Sequence, residues 1–243
     1  MSHRFFLDSK PTSDVVILEG DQAHHASHVM RFKPGDTVVL FDGSGVEFKA
    51  EICEIAKKRV SLQIVETTQQ TRAISNSVTL AVALPKGDRQ KFLIEKLVEL
   101  GVDKLIPLKT QRSVAVANGK VLIRLGKQVI EASKQCGRNT LMEILPEQTL
   151  DSLAAELDEH TNGSKDAALR LIADPYQGAT IGELAGQSLK AVVIAVGPEG
   201  GFDDTELATA FELGFSPVRF GPSILRVETA CLVAATLFGI GRE

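Results

Sequence analysis

"AVVIAVGPEGGFDDTEL", Ala191 to Leu207, is the stretch on which the fold turns. Its opening run from Ala191 to Val196 is wholly apolar, as expected of a strand buried on both faces of a parallel sheet. A Gly-Pro pair then stops the run, because proline lacks an N–H and biases the residue before it away from helix. Asp203 followed by Glu206 reads as an N-cap with its capping-box partner, so a helix leaves the turn. Buried strand, glycine turn and helix in that order belong to an α/β layer. Such turns often hold phosphates, but this one has neither the G-x-x-x-x-G-K-[ST] of a P-loop nor the G-x-G-x-x-G of a dinucleotide fold. It places Glu199 between its glycines and Asp203, Asp204 and Glu206 in the first helical turn. The N–H groups that would bind an anion are already capped, and a polyphosphate ligand is disfavoured.

The pattern extends upstream and downstream. "VTLAVAL" is a second continuous apolar run, followed by a helix from about Asp88 to Leu100 with Leu93, Ile94, Leu97 and Val98 on one face and Gly101 at its end. Further strands are expected at "KLIPL", "LRLIA" and "PVRF", with helices between and after them. Residues 73–243 are therefore read as one α/β domain. Residues 1–72 read differently, as a small β-rich module. "VEFKAEI" and "RVSLQIV" alternate apolar and polar residues, "KPGD" and "DGSG" flank "TVVLF", and a short helix from about Asp21 to Phe32 interrupts the strands. "TTQQTRAISNS" (67–77) is expected to be a linker and "DEHTNGSK" (158–165) a surface loop.

Composition excludes several classes. With 44% hydrophobic and 24% charged residues in 243, this is an ordinary soluble composition, with no run of membrane-spanning length and no signal peptide in "MSHRFFLDSK". Three widely spaced cysteines, Cys53, Cys136 and Cys231, are read as reduced thiols packed as small hydrophobes in a cytoplasmic protein. No metal site is expected, although His24, His25 and His28 share a helical stretch, because no Cys or acidic cluster supports them. The net charge of −4 conceals an asymmetry: residues 73–145 carry 12 Lys and Arg against 6 Asp and Glu, while 146–243 carry 6 against 15. A basic island of that kind attracts a polyanion whatever the total charge.

Candidate chemistry lies at three places. "VIAVGPEGG" is echoed by "PVRFGPSIL", so two strands end in Gly-Pro turns that can wall one pocket beyond the strands' carboxyl ends. Phe220, Ile224 and Leu225 supply apolar walls and Glu199 an acid, a combination suited to a neutral-to-cationic ligand carrying an adenine and hydroxyls. S-adenosylmethionine fits that description without being singled out by it. Arg226 opens the following helix, where a cation opposes the macrodipole. It either faces solvent, pairs with Glu228, or has a role at the site; Glu228 alone reads as complementing the helix dipole. On "GKVLIRLGKQVIEASKQCGRN", Lys120, Arg124, Lys127, Lys134 and Arg138 fall on one helical face with Glu131, against an apolar face of Leu122, Leu125, Val129 and Cys136. With Asn139 at its end, and with Lys86, Arg89 and Lys91 at the "PKGDRQKF" turn, this is the expected phosphate-contacting surface.

"KFLIEKLVELGV", "KQCGRN", "VGPEGG" and "FGPSILRVETA", in this order after a short β module, resemble the RsmE family, SPOUT-class methyltransferases acting on N3 of a uridine in 16S ribosomal RNA. "PKGDR" and "HVMRFKPGD" also match, and the resemblance covers essentially the whole chain. It implies a PUA-like RNA-binding β-barrel over 1–72 and a SPOUT domain with a trefoil knot over 73–243. It implies that Ala173, Gly197, Glu199, Gly200, Gly201, Phe220, Gly221, Ile224, Leu225 and Thr229 surround S-adenosylmethionine, largely through backbone groups. The implied RNA contacts are Arg31, Lys86, Arg89, Lys127, Lys134, Arg138 and Asn139. The implied working form is a homodimer acting on the assembled small ribosomal subunit in its decoding region. Arg226 would stabilise charge on the uracil carbonyls; Glu199, Glu228 or solvent would take the imide proton. A ribose 2′-O-methyltransferase on the same scaffold and a non-catalytic RNA-binding assembly factor are the rival readings.

Overall fold

A computed structural model of the protein describes residues 3–56, 58–69, 77–160, 168–185 and 190–239. By its contacts the chain forms two compact units, Met1–Ala73 with Ser133–Leu141, and Ile74–Ala132 with Met142–Glu243.

The first unit is built on a five-stranded sheet in the order β1-β3-β4-β5-β2. Its strands are β1 (Arg4–Phe6), β2 (Val15–Glu19), β3 (Thr37–Phe41), β4 (Val46–Ala56) and β5 (Arg59–Gln69). β1 runs parallel to β3, and the other pairs are antiparallel. The period-2 alternation does what it should: Phe48, Ala50 and Ile52 of β4 and Val60 and Leu62 of β5 enter one core with Val38 and Leu40 of β3. A side chain buried as fully as Leu40 or Leu62 contributes about 1.5–3 kcal/mol. Register shifts at Lys49/Ala50 and Ile52/Glu54 mark bulges, which bend a strand and re-aim the residues beyond them. Cys53 lies at the second and is exposed, so the expectation that all three thiols are packed inside fails there. At the free edge of β1, the Gln22 amide donates to the Phe6 carbonyl at 2.7 Å and its carbonyl oxygen accepts from the Phe6 N–H at 3.2 Å.

The helix expected over Asp21–Phe32 is shorter and wider. α1 (Gly20–His24) passes into a π-helical turn, His25–Val29, closed by Met30 N–H donating to the His25 carbonyl at 2.9 Å. The turn ends at Arg31, whose φ of 57° makes it the only non-glycine with positive φ among the described residues. Residues 67–69 of the expected linker belong to β5 and Ser77 to the next strand; 70–76 lie outside the described residues.

The second unit holds a seven-stranded, wholly parallel sheet in the order β10-β12-β9-β11-β6-β7-β8. Strands and helices alternate as the apolar runs predict: β6 (Ser77–Val82), α2 (Asp88–Glu99), β7 (Lys104–Pro107), α3 (Gly119–Cys136), β8 (Glu143–Ile144), α4 (Leu150–His160), β9 (Leu169–Ala173) and β10 (Ala179–Thr180). Then come α5 (Ile181–Ala185), β11 (Ala191–Val196), α6 (Asp204–Glu212), β12 (Ser216–Arg219) and α7 (Val227–Gly239). β6 and β11, paired in register along their whole length, are the central strands, and Leu80, Ala81, Ile194 and Ala195 are fully buried there. Residues 158–160 of the expected loop complete α4, and 161–165 lie outside the described residues. No helix among the described residues is long and apolar enough to cross a membrane.

The strand order decides where a site forms. β12, β9 and β11 are neighbours, so their carboxyl ends emerge side by side. Each leads into a loop, and ligands of open α/β sheets sit beyond such ends.

Candidate active site

A cavity of about 390 Å³ opens where those three loops meet. Ala173 to Tyr176 follow β9, Val196 to Phe202 follow β11, and Phe220 to Leu225 follow β12; Arg112 joins them from outside. The sheet order thus gathers Ala173, Gly197, Glu199, Gly200, Gly201, Phe220, Gly221, Ile224 and Leu225, all expected around a cofactor, onto one cavity. Thr229 is exposed on α7 and is not among the lining residues.

Local chemistry holds these loops. The capping box of α6 is formed in full: Glu206 N–H donates to Asp203 Oδ1 at 2.8 Å, and Asp203 N–H to Glu206 Oε2 at 2.9 Å. Glu206 Oε1 also accepts from the Gln111 N–H at 2.8 Å. Beside it, Arg112 Nη1 donates to the Gly200 carbonyl at 2.6 Å, clamping the glycine turn. After β9, Asp174 is buried, and its carboxylate accepts from the backbone N–H groups of Tyr176 and Gln177 and from the Gln177 side chain. That makes Asp174 a loop organiser. Neither Arg112 nor Tyr176 carried a signal in the sequence pattern; isolated polar residues in loops declare themselves only once the strands are ordered.

The titratable groups form a second cluster. Arg89 Nη1 lies 2.8 Å from Glu199 Oε1 and 3.9 Å from Glu228 Oε2. Glu228 is buried in the first turn of α7, and its Oε2 makes no hydrogen bond. Arg226 is exposed at the start of α7 and does not pair with Glu228; Arg89 faces that acid instead. One turn further on, burial of Cys231, and then the charge of Glu228, push the Cys231 thiol well above its ordinary range, so it stays protonated.

The basic residues differ in exposure. Lys86 and Lys127 are exposed, Lys134 and Arg138 half-buried, and Arg31 exposed at its left-handed turn. Arg124 hydrogen-bonds Gln90. Asn139 is only 2% exposed, and its amide donates to the Gly45 carbonyl at 2.9 Å. His24 and His28 stack at 4.6 Å on the surface.

The model for an RNA methyltransferase domain matches residues 72–239, and that for an RNA methyltransferase PUA domain matches 18–65. Ribosomal RNA small subunit methyltransferase E of Synechocystis is 33% identical over 90% of this chain and 71% of its own length. The chain belongs to this methyltransferase E family. The Bacillus subtilis methyltransferase E is 29% identical over 98% of this chain and 93% of its own. The crystal structure of the Neisseria gonorrhoeae methyltransferase E, bound to S-adenosyl methionine, superposes with a TM-score of 0.84 at 32% identity, covering 97% of this chain and 95% of that one. Its fold is accordingly the SPOUT-type α/β domain of the methyltransferase E family, preceded by a PUA-like β module.

Proposed function

We propose that this chain transfers a methyl group from S-adenosylmethionine to N3 of a uridine in the decoding region of 16S ribosomal RNA, within the small ribosomal subunit. Membership of the methyltransferase E family supports the ribosomal substrate. The observation that carries the cofactor is the cavity itself. Its walls are backbone of three adjacent loops and apolar side chains, its lining acids Asp174, Glu199 and Asp204 outnumber its one cation, Arg112, and the N-terminus of α6 at its rim is occupied by the Asp203–Glu206 box. That set suits a cationic ligand with hydroxyls and no phosphate.

When bound, the cofactor supplies an electrophilic methyl on sulfonium. The protein's part is positioning, water exclusion and proton handling. Loop backbone after β9, β11 and β12 orients the ligand, while Val196, Phe202, Ile224 and Leu225 present apolar surface. Methylation at N3 requires the imide proton to leave. Glu228, buried and with an unsatisfied Oε2 beside the lining residues Val227 and Ala230, is the acceptor in this reading. Arg226, exposed at the start of α7, stabilises charge on O2 or O4 of the uracil. Arg31, Lys86, Lys127, Lys134 and Arg138 contact RNA phosphates. A knotted C-terminal segment, a homodimeric working form and a cytoplasmic location complete the proposal.

The test supplies methyl-labelled S-adenosylmethionine and small subunits from cells lacking this activity, and identifies the labelled nucleoside. Label in 3-methyluridine is expected. Label in a ribose would overturn the assigned chemistry, and RNA binding without cofactor binding would favour an assembly factor. Arg226→Ala should abolish transfer while sparing cofactor binding.

A further inference from the structure

Arg89 stands in the first turn of α2, directly after the "PKGD" turn that ends β6, the strand paired with β11 on the side away from β9. Its Nη1 is shared between two carboxylates that belong to different loops. Glu199 lies on the turn after β11 at 2.8 Å, and Glu228 in the first turn of α7, after the β12 loop, at 3.9 Å. The environments differ sharply: the Glu199 side chain is 36% exposed, and that of Glu228 only 11%. Water can serve the first carboxylate. The second has a buried oxygen with no hydrogen bond, and Arg89 is its one countercharge within 4.0 Å among the described residues. A buried carboxylate left without a countercharge is strongly disfavoured.

We infer that Arg89 is a positioning residue for methyl transfer. Through one guanidinium nitrogen it compensates the buried Glu228 carboxylate and links that acid to Glu199, which lines the cavity. The role differs from an RNA contact, which would need the guanidinium turned outward to a phosphate. It leaves Glu228 Oε2 near a cation and without a hydrogen bond. The inference rests on the reading of Glu228 given above.

The experiment measures kcat, KM for small subunits and S-adenosylmethionine affinity for Arg89→Ala, Arg89→Lys, Glu228→Gln and the double variant Arg89→Ala/Glu228→Gln. Arg89→Ala is expected to lower kcat by about a hundredfold, with KM and cofactor affinity within about threefold. Added guanidinium should restore part of the loss, and Arg89→Lys should lie between wild type and Arg89→Ala. Glu228→Gln should lose as much and gain nothing from guanidinium, and the double variant should be no worse than Glu228→Gln, because the two residues act as a unit. A raised KM for small subunits at unchanged kcat in Arg89→Ala would overturn the inference and make Arg89 an RNA contact, leaving the Glu228 reading intact. Wild-type turnover in Glu228→Gln would instead overturn the acceptor reading, and the inference with it. Should Arg89→Ala lose its thermal transition, Arg89→Gln, which keeps a polar side chain, carries the same comparison.

Discussion

The two Gly-Pro loops look alike in sequence and are held in opposite ways. The loop after β11 is gripped from outside: Arg112 holds the Gly200 carbonyl, Arg89 pairs with Glu199, Gln111 reaches Glu206, and Pro198 and Phe202 are buried. In the loop after β12, Gly221, Pro222, Ser223 and Ile224 are exposed, and no side chain among the described residues hydrogen-bonds to residues 221–226. Its shape rests on the proline, on Gly221 with φ of 146°, and on the helix that follows. One wall of the cavity is thus built by the rest of the domain, and the other chiefly by its own backbone. A ligand bound between them pays the ordering entropy mainly on the second wall.

The largest break in this contrast comes from crowding the built wall. A Cβ at Gly197 would stand 3.0 Å from two ring carbons of the buried Phe202. Gly197→Ala should cost about 2 kcal/mol, typical of an overfilled core, and lower the thermal midpoint by about 5 °C. Next, Arg112→Ala releases the Gly200 carbonyl; calorimetry should show S-adenosylmethionine binding weakened about tenfold, or about 1.4 kcal/mol. Asp203→Ala removes half of the capping box and should cost about 1 kcal/mol in urea unfolding with an unchanged m-value. Smallest is Ile224→Ser on the other wall. At 69% exposure Ile224 contributes little to the core, and stability should stay within about 0.5 kcal/mol. A drop matching that of Asp203→Ala would show the second loop to be as firmly built as the first, and the contrast would collapse.

What the sequence disclosed here was local. The apolar runs at 77–82 and 191–196, the Asp203–Glu206 box and the Gly-Pro stops are each written within a few neighbouring residues, and period, cap and turn chemistry read them correctly. The cavity followed, because adjacent parallel strands must end together. The contacts that give it polarity did not follow. Arg89 meets Glu199 and Glu228 only because β6 lies beside β11 and α7 packs on α2, and no spacing in the chain announces that. Arg112 was invisible for the same reason. The misplacements have equally local causes: Cys53 sits at a bulge, and Asn139 turns inward to brace the loop at Gly45. A π turn shortens the helix expected after Asp21, since one extra residue per turn breaks the 3.6-residue period.

The Gln22 amide bears on association. A side-chain carboxamide presents one donor and one acceptor in the spacing of a peptide group, and at Phe6 it occupies the places that a neighbouring chain would fill. It acts as a one-residue dummy strand, capping the free edge of β1 where a sheet would otherwise recruit an unrelated β segment. A single glutamine thus keeps that edge closed to stray polypeptide.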